Sequence, residues 1–316
     1  MKNNIVKRLA FLILAIILIC SNTMAQGDSA YLFAYFKNNG QDGLHLAYST
    51  DGFTYTALNN DKFYLVPQLS KDKLMRDPCI IRGGDNKFHM VWTVSWTDPG
   101  IGHATSTDLI HWSDQQYIPV MDKEPTAQNA WAPEIFYDTE KRQYMIYWAT
   151  TIPGKFPATD TLGDDKNNHR MYYTLTKDFN HFSKTRLLYN QGFNVIDATI
   201  QKQGKQYIMF LKDETKKPLP QKNIRIATSK SLIKKYSKPS QPITGKYWAE
   251  GPTAIKVNGQ WMVYFDKYTE HTYGAVVSDD LINWKDVSDK IHFPLGTRHG
   301  TVFKISGEEL AGLNNK

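Results

Sequence analysis

Arg76-Asp77-Pro78-Cys79-Ile80 opens the stretch that decides the fold. From there the chain crosses the turn residues Gly83-Gly84-Asp85-Asn86 into Phe88-His89-Met90-Val91-Trp92, and it closes on Ser106-Thr107-Asp108 with Trp112 behind. A small-residue start, short apolar and aromatic runs and a polar turn predict antiparallel strands joined by hairpins. Helical periodicity is nearly absent, and β-branched and aromatic residues dominate the runs.

The unit recurs. A hydroxyl residue, an acid or polar residue two on and an aromatic about six on appear at Ser49, Ser106, Thr176, Ser229 and Ser278. The acids are Asp51, Asp108, Asp178 and Asp280, with Ser231 in the degraded fourth copy; the aromatics are Tyr55, Trp112, Phe182, Tyr236 and Trp284. The copies lie 57, 70, 53 and 49 residues apart. The motif that opens at Arg76 also has five versions. The others are Trp131-Ala132-Pro133-Glu134-Ile135, Ile196-Asp197-Ala198-Thr199-Ile200, Glu250-Gly251-Pro252-Thr253-Ala254 and Arg298-His299-Gly300-Thr301-Val302. The first four run into aromatic-rich strands such as Tyr144–Tyr147, Tyr207–Phe210 and Trp261–Tyr264.

Five four-stranded repeats of roughly fifty residues predict an all-β fold, a five-bladed propeller. The last motif comes almost at the chain end, and the strands Tyr31–Phe36 and Leu44–Ser49 come at the start with no motif before them. The two ends therefore share one blade, with the C-terminal strand innermost, and the closed ring exposes no sheet edge. Residues 26–316 read as one domain, since no linker-like segment interrupts them.

Composition narrows the class. A chain of 316 residues with 41% hydrophobic and 13% aromatic content is neither disordered nor collagen-like. Its 2 cysteines cannot staple a scaffold. Lys2, Lys7 and Arg8 precede an apolar run of eleven residues, Leu9–Ile19, and small polar residues ending at Ala25. Residues 1–25 thus read as a signal peptide, too short to span a bilayer, and the protein is expected outside the cytoplasm, periplasmic or secreted. Lipidation at Cys20 is disfavoured by Ile19, which stands where such sites want a small residue. Losing the leader's basic residues lowers the net charge from +7 to +4. The remaining lysines are scattered, which reads as a solvated surface rather than a nucleic-acid face. No other stretch is long and apolar enough for a membrane span.

Inner strands of a propeller face a common channel, so residues at matching register ring one end of it. Aligning the motifs on Pro78, Pro133, Ala198, Pro252 and Gly300 brings together Asp77, Asp197, Glu250, Arg298 and His299, with Trp131 and Glu134 beside them. Such a set of carboxylates is costly unless it is solvated, paired or functional. Clustered carboxylates and flat aromatic faces suit glycoside hydrolysis: one acid protonates the leaving oxygen, a second activates water or attacks directly, and a third tunes the first. Trp92, Trp96, Trp131, Trp148 and Trp248 lie near motif or strand ends and are candidates for sugar contact, Trp92 and Trp148 fitting core equally well. Trp96, Trp131, Trp148, Glu134, Arg298 and His299 form the expected substrate-binding set. Trp112, Trp261 and Trp284 fall on repeat positions and read as blade core, and Cys79 as packing. The long polar loops at 152–170 and 212–223 are rims or idle insertions, with Asp213 or Glu214 in reach of a substrate.

Arg76-Asp77-Pro78, Trp131-Ala132-Pro133-Glu134, Ile196-Asp197-Ala198 and Ala249-Glu250-Gly251-Pro252, in that order, resemble glycoside hydrolase family 43. The resemblance covers essentially the whole chain after the leader, and the Glu250-Gly251-Pro252 piece is its most specific part. It implies a five-bladed propeller that hydrolyses furanosides and xylosides with inversion, α-L-arabinofuranosides first among them. It implies Asp77 as general base, Glu250 as general acid, Asp197 as the carboxylate that tunes and positions that acid, and Arg298 as a substrate ligand. His299 resembles the channel histidine that in some members sits beside a bound calcium; no cofactor is required. Asp197 departs from the pattern in being followed by Ala198, where Pro is commoner. A β-D-xylosidase, a β-D-galactofuranosidase or exo-galactanase, a retaining fructan-acting relative and a non-catalytic glycan-binding propeller are the alternatives. The expected partner is an oligo- or polysaccharide.

Overall fold

The computed structural model describes residues 29–164 and 166–314, so the leader lies outside the described residues. The chain forms five antiparallel sheets arranged as a five-bladed propeller. The C-terminal strand Thr301–Ser306 lies innermost in its blade and pairs with Ser29–Tyr35, Leu32 opposite Phe303. His45–Ser49 and Thr56–Ala57 complete that sheet outward. The ring therefore closes as the sequence predicts. The other inner strands are Arg76–Arg82, Trp131–Asp138, Val195–Gln203 and Glu250–Val257.

Apolar side chains fill the space between neighbouring blades. Ile80, Met90 and Trp92 pack with Leu32 and Leu46 of the closing blade, and Trp261 packs with Phe210 and Val263 at another interface. Cys79 is a buried free thiol in such a cluster.

The hydroxyl–acid repeat is a capped turn. Ser106 Oγ accepts the Leu109 N–H at 2.8 Å, and Asp108 Oδ1 accepts those of Ile110 and His111 at 2.9 and 2.7 Å. The same bonds recur at Ser49–Asp51, Thr176–Asp178 and Ser278–Asp280. They hold Leu109, Phe179 and Leu281 at φ of 65°, 57° and 65°, a left-handed conformation that costs roughly 1–2 kcal/mol without compensation.

Where Ser231 replaces the acid, the blade departs from expectation: its sheet has three strands rather than four. Residues 237–243 still run beside Asn223–Ser229, with Ser237, Ser240 and Ile243 donating to Thr228, Ile226 and Ile224. Pro239 and Pro242 have no N–H to give, which breaks a regular outer strand. A short C-terminal helix, Gly307–Asn314, is an addition to the expected elements. Its signal is a capping box: Ser306 N–H donates to Glu309 Oε2 at 2.8 Å, and Glu309 N–H donates to Ser306 Oγ at 3.2 Å. No described helix is long and apolar enough to cross a membrane.

Candidate active site

The geometry of the channel mouth starts from one backbone device. In four inner strands the second residue of the motif is left-handed: Asp77 at φ 52°, Ala132 at 46°, Asp197 at 53° and Gly251 at 58°. The pairing ladder slips at the same point, between Arg76 and Cys79, Trp131 and Glu134, Ile196 and Thr199, and Glu250 and Thr253. A bulge interrupts the in–out alternation of a strand. First-position residues (Arg76, Trp131, Ile196, Glu250, with Arg298 from the fifth motif) and second-position Asp77, Asp197 and His299 then line the same cavity of about 270 Å³. Left-handed non-glycine residues are strained and gather at functional sites.

Gly251 has no freedom to be anything larger. A Cβ there would lie 2.3 Å from the His299 ring, and its φ of 58° disfavours a side chain independently. Its N–H donates to Asp197 Oδ2 at 3.1 Å, tying two motifs together.

The three carboxylates have different surroundings. Asp77 accepts from the Thr93 hydroxyl at 2.8 Å and faces His299 Nδ1 at 3.3 Å. Burial alone would raise its carboxyl, but the His299 charge, Arg76 and Thr93 hold it down at about 2. Asp197 is pushed up to about 6, first by burial and then by the neighbouring Glu250 and Asp77 charges, against the pull of His299 and Lys212. Glu250 sits between two cations, with Oε2 3.0 Å from Lys212 Nζ and Oε1 3.2 Å from Arg298 Nη2. Arg298 also reaches Asp266, Nε to Oδ2 at 2.6 Å. His299 is raised to about 9: burial works against its charged form, and Asp77 and Asp197 outweigh that.

Trp96 and Trp131 line the cavity as expected, edge to face with ring centroids 5.5 Å apart and the Trp131 Nε1–H donating to the Trp96 carbonyl at 3.0 Å. Two expected ligands are elsewhere. Glu134 is the fourth residue of its motif, past the bulge, and faces the other end of the channel, where a second cavity is also lined by Cys79, Thr199 and Thr301. There it accepts from the Thr199 and Tyr147 hydroxyls at 3.0 and 3.3 Å, and burial pushes it up to about 7. Trp148 is wholly buried between blades with Val91 and Tyr172, and Trp92 is buried likewise. Trp248 does not line the cavity; it packs on Tyr268, which does.

Sequence reasoning missed Thr93, Lys212, Asp266 and Tyr268. Three of them sit on second strands directly opposite a motif residue: Thr93 across from Arg76, Lys212 from Ile196 and Asp266 from Glu250. Tracing each hairpin back from its turn would have found them. Of the two residues expected at the start of the second long loop, Glu214 lines the cavity, while Asp213 is buried and pairs with Arg225 at 3.2 Å. Glu214 pairs with Lys212 at 2.6 Å and with Lys222, which reaches Asp164 at 2.9 Å. Lys216 and Lys217 N–H donate to the Leu162 carbonyl, so the two long loops meet beside the cavity. Among the described residues no three His, Cys, Asp or Glu side chains converge to hold a metal ion.

Residues 28–311 match the family described as "Probable glycosyl hydrolase domain". A curated alpha-L-arabinofuranosidase of Bifidobacterium longum subsp. longum is 23% identical over 211 residues, which is 59% of this chain and 20% of that one. The chain thus spans about a fifth of the length of the curated relative it matches. Among solved structures, a family-43 β1,3-galactosidase superposes with a TM-score of 0.58 at 13% identity, over 84% of this chain and 58% of that one. A thermostable family-43 glycoside hydrolase gives 0.55 at 17%, over 74% and 80%, and an arabinanase of Bacillus subtilis gives 0.51 at 16%, over 73% and 81%. At such identities these structures speak for the fold alone.

Proposed function

The chain belongs to the family-43-related glycosyl hydrolases, and on that premise we propose that it hydrolyses O-glycosyl bonds as an inverting α-L-arabinofuranosidase. The observation that carries this reading is the meeting of Asp77, Asp197 and Glu250, from three different blades, in one cavity walled by Trp96 and Trp131. The B. longum relative's name supports the choice of sugar.

Asp77 is suited to be the base. Held near 2, it stays ionised throughout the working range and can take a proton from water. The water oxygen then bonds to the anomeric carbon as the glycosidic C–O bond breaks on the opposite face. Glu250 gives its proton to the leaving oxygen. The family resemblance implies that Asp197 crowds a proton onto Glu250. In the free cavity Glu250 instead pairs with Lys212 and Arg298, and beside it burial and the Glu250 charge raise two carboxyls, Asp197 and Asp266, each to about 6. Asp197 and Asp266 are therefore the groups that hold a proton in the cluster below about pH 6, and Glu250 must take up a proton, loosened from its two cations, before it acts as the acid.

The test is a panel of aryl α-L-arabinofuranoside, β-D-xyloside, β-D-galactofuranoside and β-D-galactoside with wild type, Asp77→Ala and Glu250→Ala. Turnover of the arabinofuranoside with an inverted anomer by NMR is expected. A preference for another glycoside would reassign the sugar, and a retained anomer would remove the base–acid division. Undiminished rates in Glu250→Ala would remove the acid assignment, and no turnover of any glycoside would leave a glycan-binding propeller.

A further inference from the structure

Four cations line the cavity, and three of them are matched. Lys212 has Glu250 and Glu214, Arg298 has Glu250 and Asp266, and His299 has Asp77. Arg76 is different. Its Nη1–H donates to Asn39 Oδ1 at 3.1 Å, and its guanidinium lies 4.6 Å from the Phe36 ring and 4.3 Å from the Trp96 ring. Among the described residues no carboxylate forms an ion pair with it. Stacking on rings is favourable to a guanidinium, but it strips water from the flat faces and satisfies none of the five N–H donors at the edge.

The charge is also crowded. Arg298 lies 5.8 Å from the same Phe36 ring, so two guanidinium groups share one aromatic plate, and among the described residues only Arg298 of the two forms ion pairs. Beside Arg76 the wall is flat and open: Trp96 is 43% exposed, and Trp131 stands edge-on to it. A flat apolar face suits the C–H surface of a sugar ring, and a guanidinium edge matches a carboxylate with two parallel hydrogen bonds.

We propose that the wall formed by Arg76, Trp96 and Trp131 is a subsite for an acidic sugar, a uronosyl unit of the saccharide whose carboxylate pairs with Arg76. This rests on the reading of the cavity as a saccharide site and names the substrate class it prefers. A neutral sugar on the same wall leaves the Arg76 guanidinium edge with no carboxylate to pair with, its charge felt only across space by Asp77.

The experiment measures dissociation constants for D-galacturonate and D-glucuronate, their methyl esters, and D-galactose and D-glucose. Wild type, Arg76→Gln, Arg76→Lys and Trp96→Ala are compared. The free acids should bind wild type about tenfold more tightly than their esters at low salt, and the advantage should shrink as salt is raised. Arg76→Gln should erase it, Arg76→Lys should keep part of it, and Trp96→Ala should weaken acid and ester alike. Esters that bind as well as acids, a preference that survives Arg76→Gln, or uronates that do not bind at all would each overturn the proposal. Should Arg76→Gln prove unfolded by circular dichroism, the acid–ester comparison in wild type and its response to salt decide the outcome. Aryl glycoside turnover separates the two readings. Cleavage without uronate preference sinks the subsite alone, and Arg76-dependent uronate binding without cleavage sinks the catalytic role alone.

Discussion

The two ends of the channel draw on neighbouring positions of the same inner strands, yet they handle negative charge in opposite ways. At the mouth, Asp77 and Glu250 stand against His299, Lys212 and Arg298. At the far end Glu134 makes no ion pair among the described residues; the Thr199 and Tyr147 hydroxyls and the Cys79 thiol bond it, and the His299 charge acts on it without contact. The first arrangement holds Asp77 at about 2, and the second lets burial carry Glu134 to about 7. Asp77, kept charged by cations, is ready to accept a proton, whereas burial carries Glu134, and at the mouth Asp197, toward the protonated form. A ring of acids read from sequence is thus sent by the bulge to two ends of the channel.

The sharpest way to break this division is kinetic. Asp77→Ala and Glu250→Ala should each lower kcat by about 10²–10⁴-fold, while Glu134→Gln, which removes no group from the mouth, should leave kcat close to wild type. Steady-state rates on the aryl arabinofuranoside check this, and an equal loss in Glu134→Gln would erase the distinction. Next in size is Gly251→Ala, which sets a methyl group against His299 and strains the backbone. It should cost about 2–3 kcal/mol in urea unfolding and reduce turnover as well.

The smallest effect is the most discriminating. The Glu134 carboxyl is raised from 4.5 to about 7, so between those values the folded chain holds a proton that the unfolded chain releases. Its contribution to stability is therefore full below pH 4.5 and is lost as pH rises through 7. His299, raised from 6.5 to about 9, contributes fully below pH 6.5 and loses that contribution as pH rises through 9. Asp77, lowered from 3.8 to about 2, contributes above pH 3.8 and loses it as pH falls through 2. Between pH 4.5 and 7 unfolding free energy should fall less steeply in Glu134→Gln than in wild type, the difference between the two curves reporting this carboxyl, while the decline that Asp197 and Asp266 add up to about pH 6 and the alkaline decline persist in both.

Most of the architecture was legible because it is periodic. The turn with Ser106 and Asp108 recurs wherever a blade has a regular outer strand, and the terminal strands fall where a closed ring needs them. The unseen parts are those that periodicity does not encode. The left-handed residue at Asp77, Ala132, Asp197 and Gly251 breaks alternation, so a residue-by-residue register put Glu134 at the wrong end. Trp148 lies at a strand end yet between sheets, a position its spacing did not separate from the cavity wall. Lys212 and Asp266 reach the site through pairing across a hairpin, which needs the turn register and not the motif alone. Pro239 and Pro242 erased an outer strand that the repeat count had promised.

The closing blade has a temporal meaning. A ribosome delivers Arg298 and His299 after every other side chain of the cavity, and the strand that follows them is the one that shuts the ring against Ser29–Tyr35. Until then the nascent chain carries Asp77, Asp197 and Glu250 with two of their counter-charges still unmade. The cavity's last two cations and the finished circle thus arrive together on the final strand.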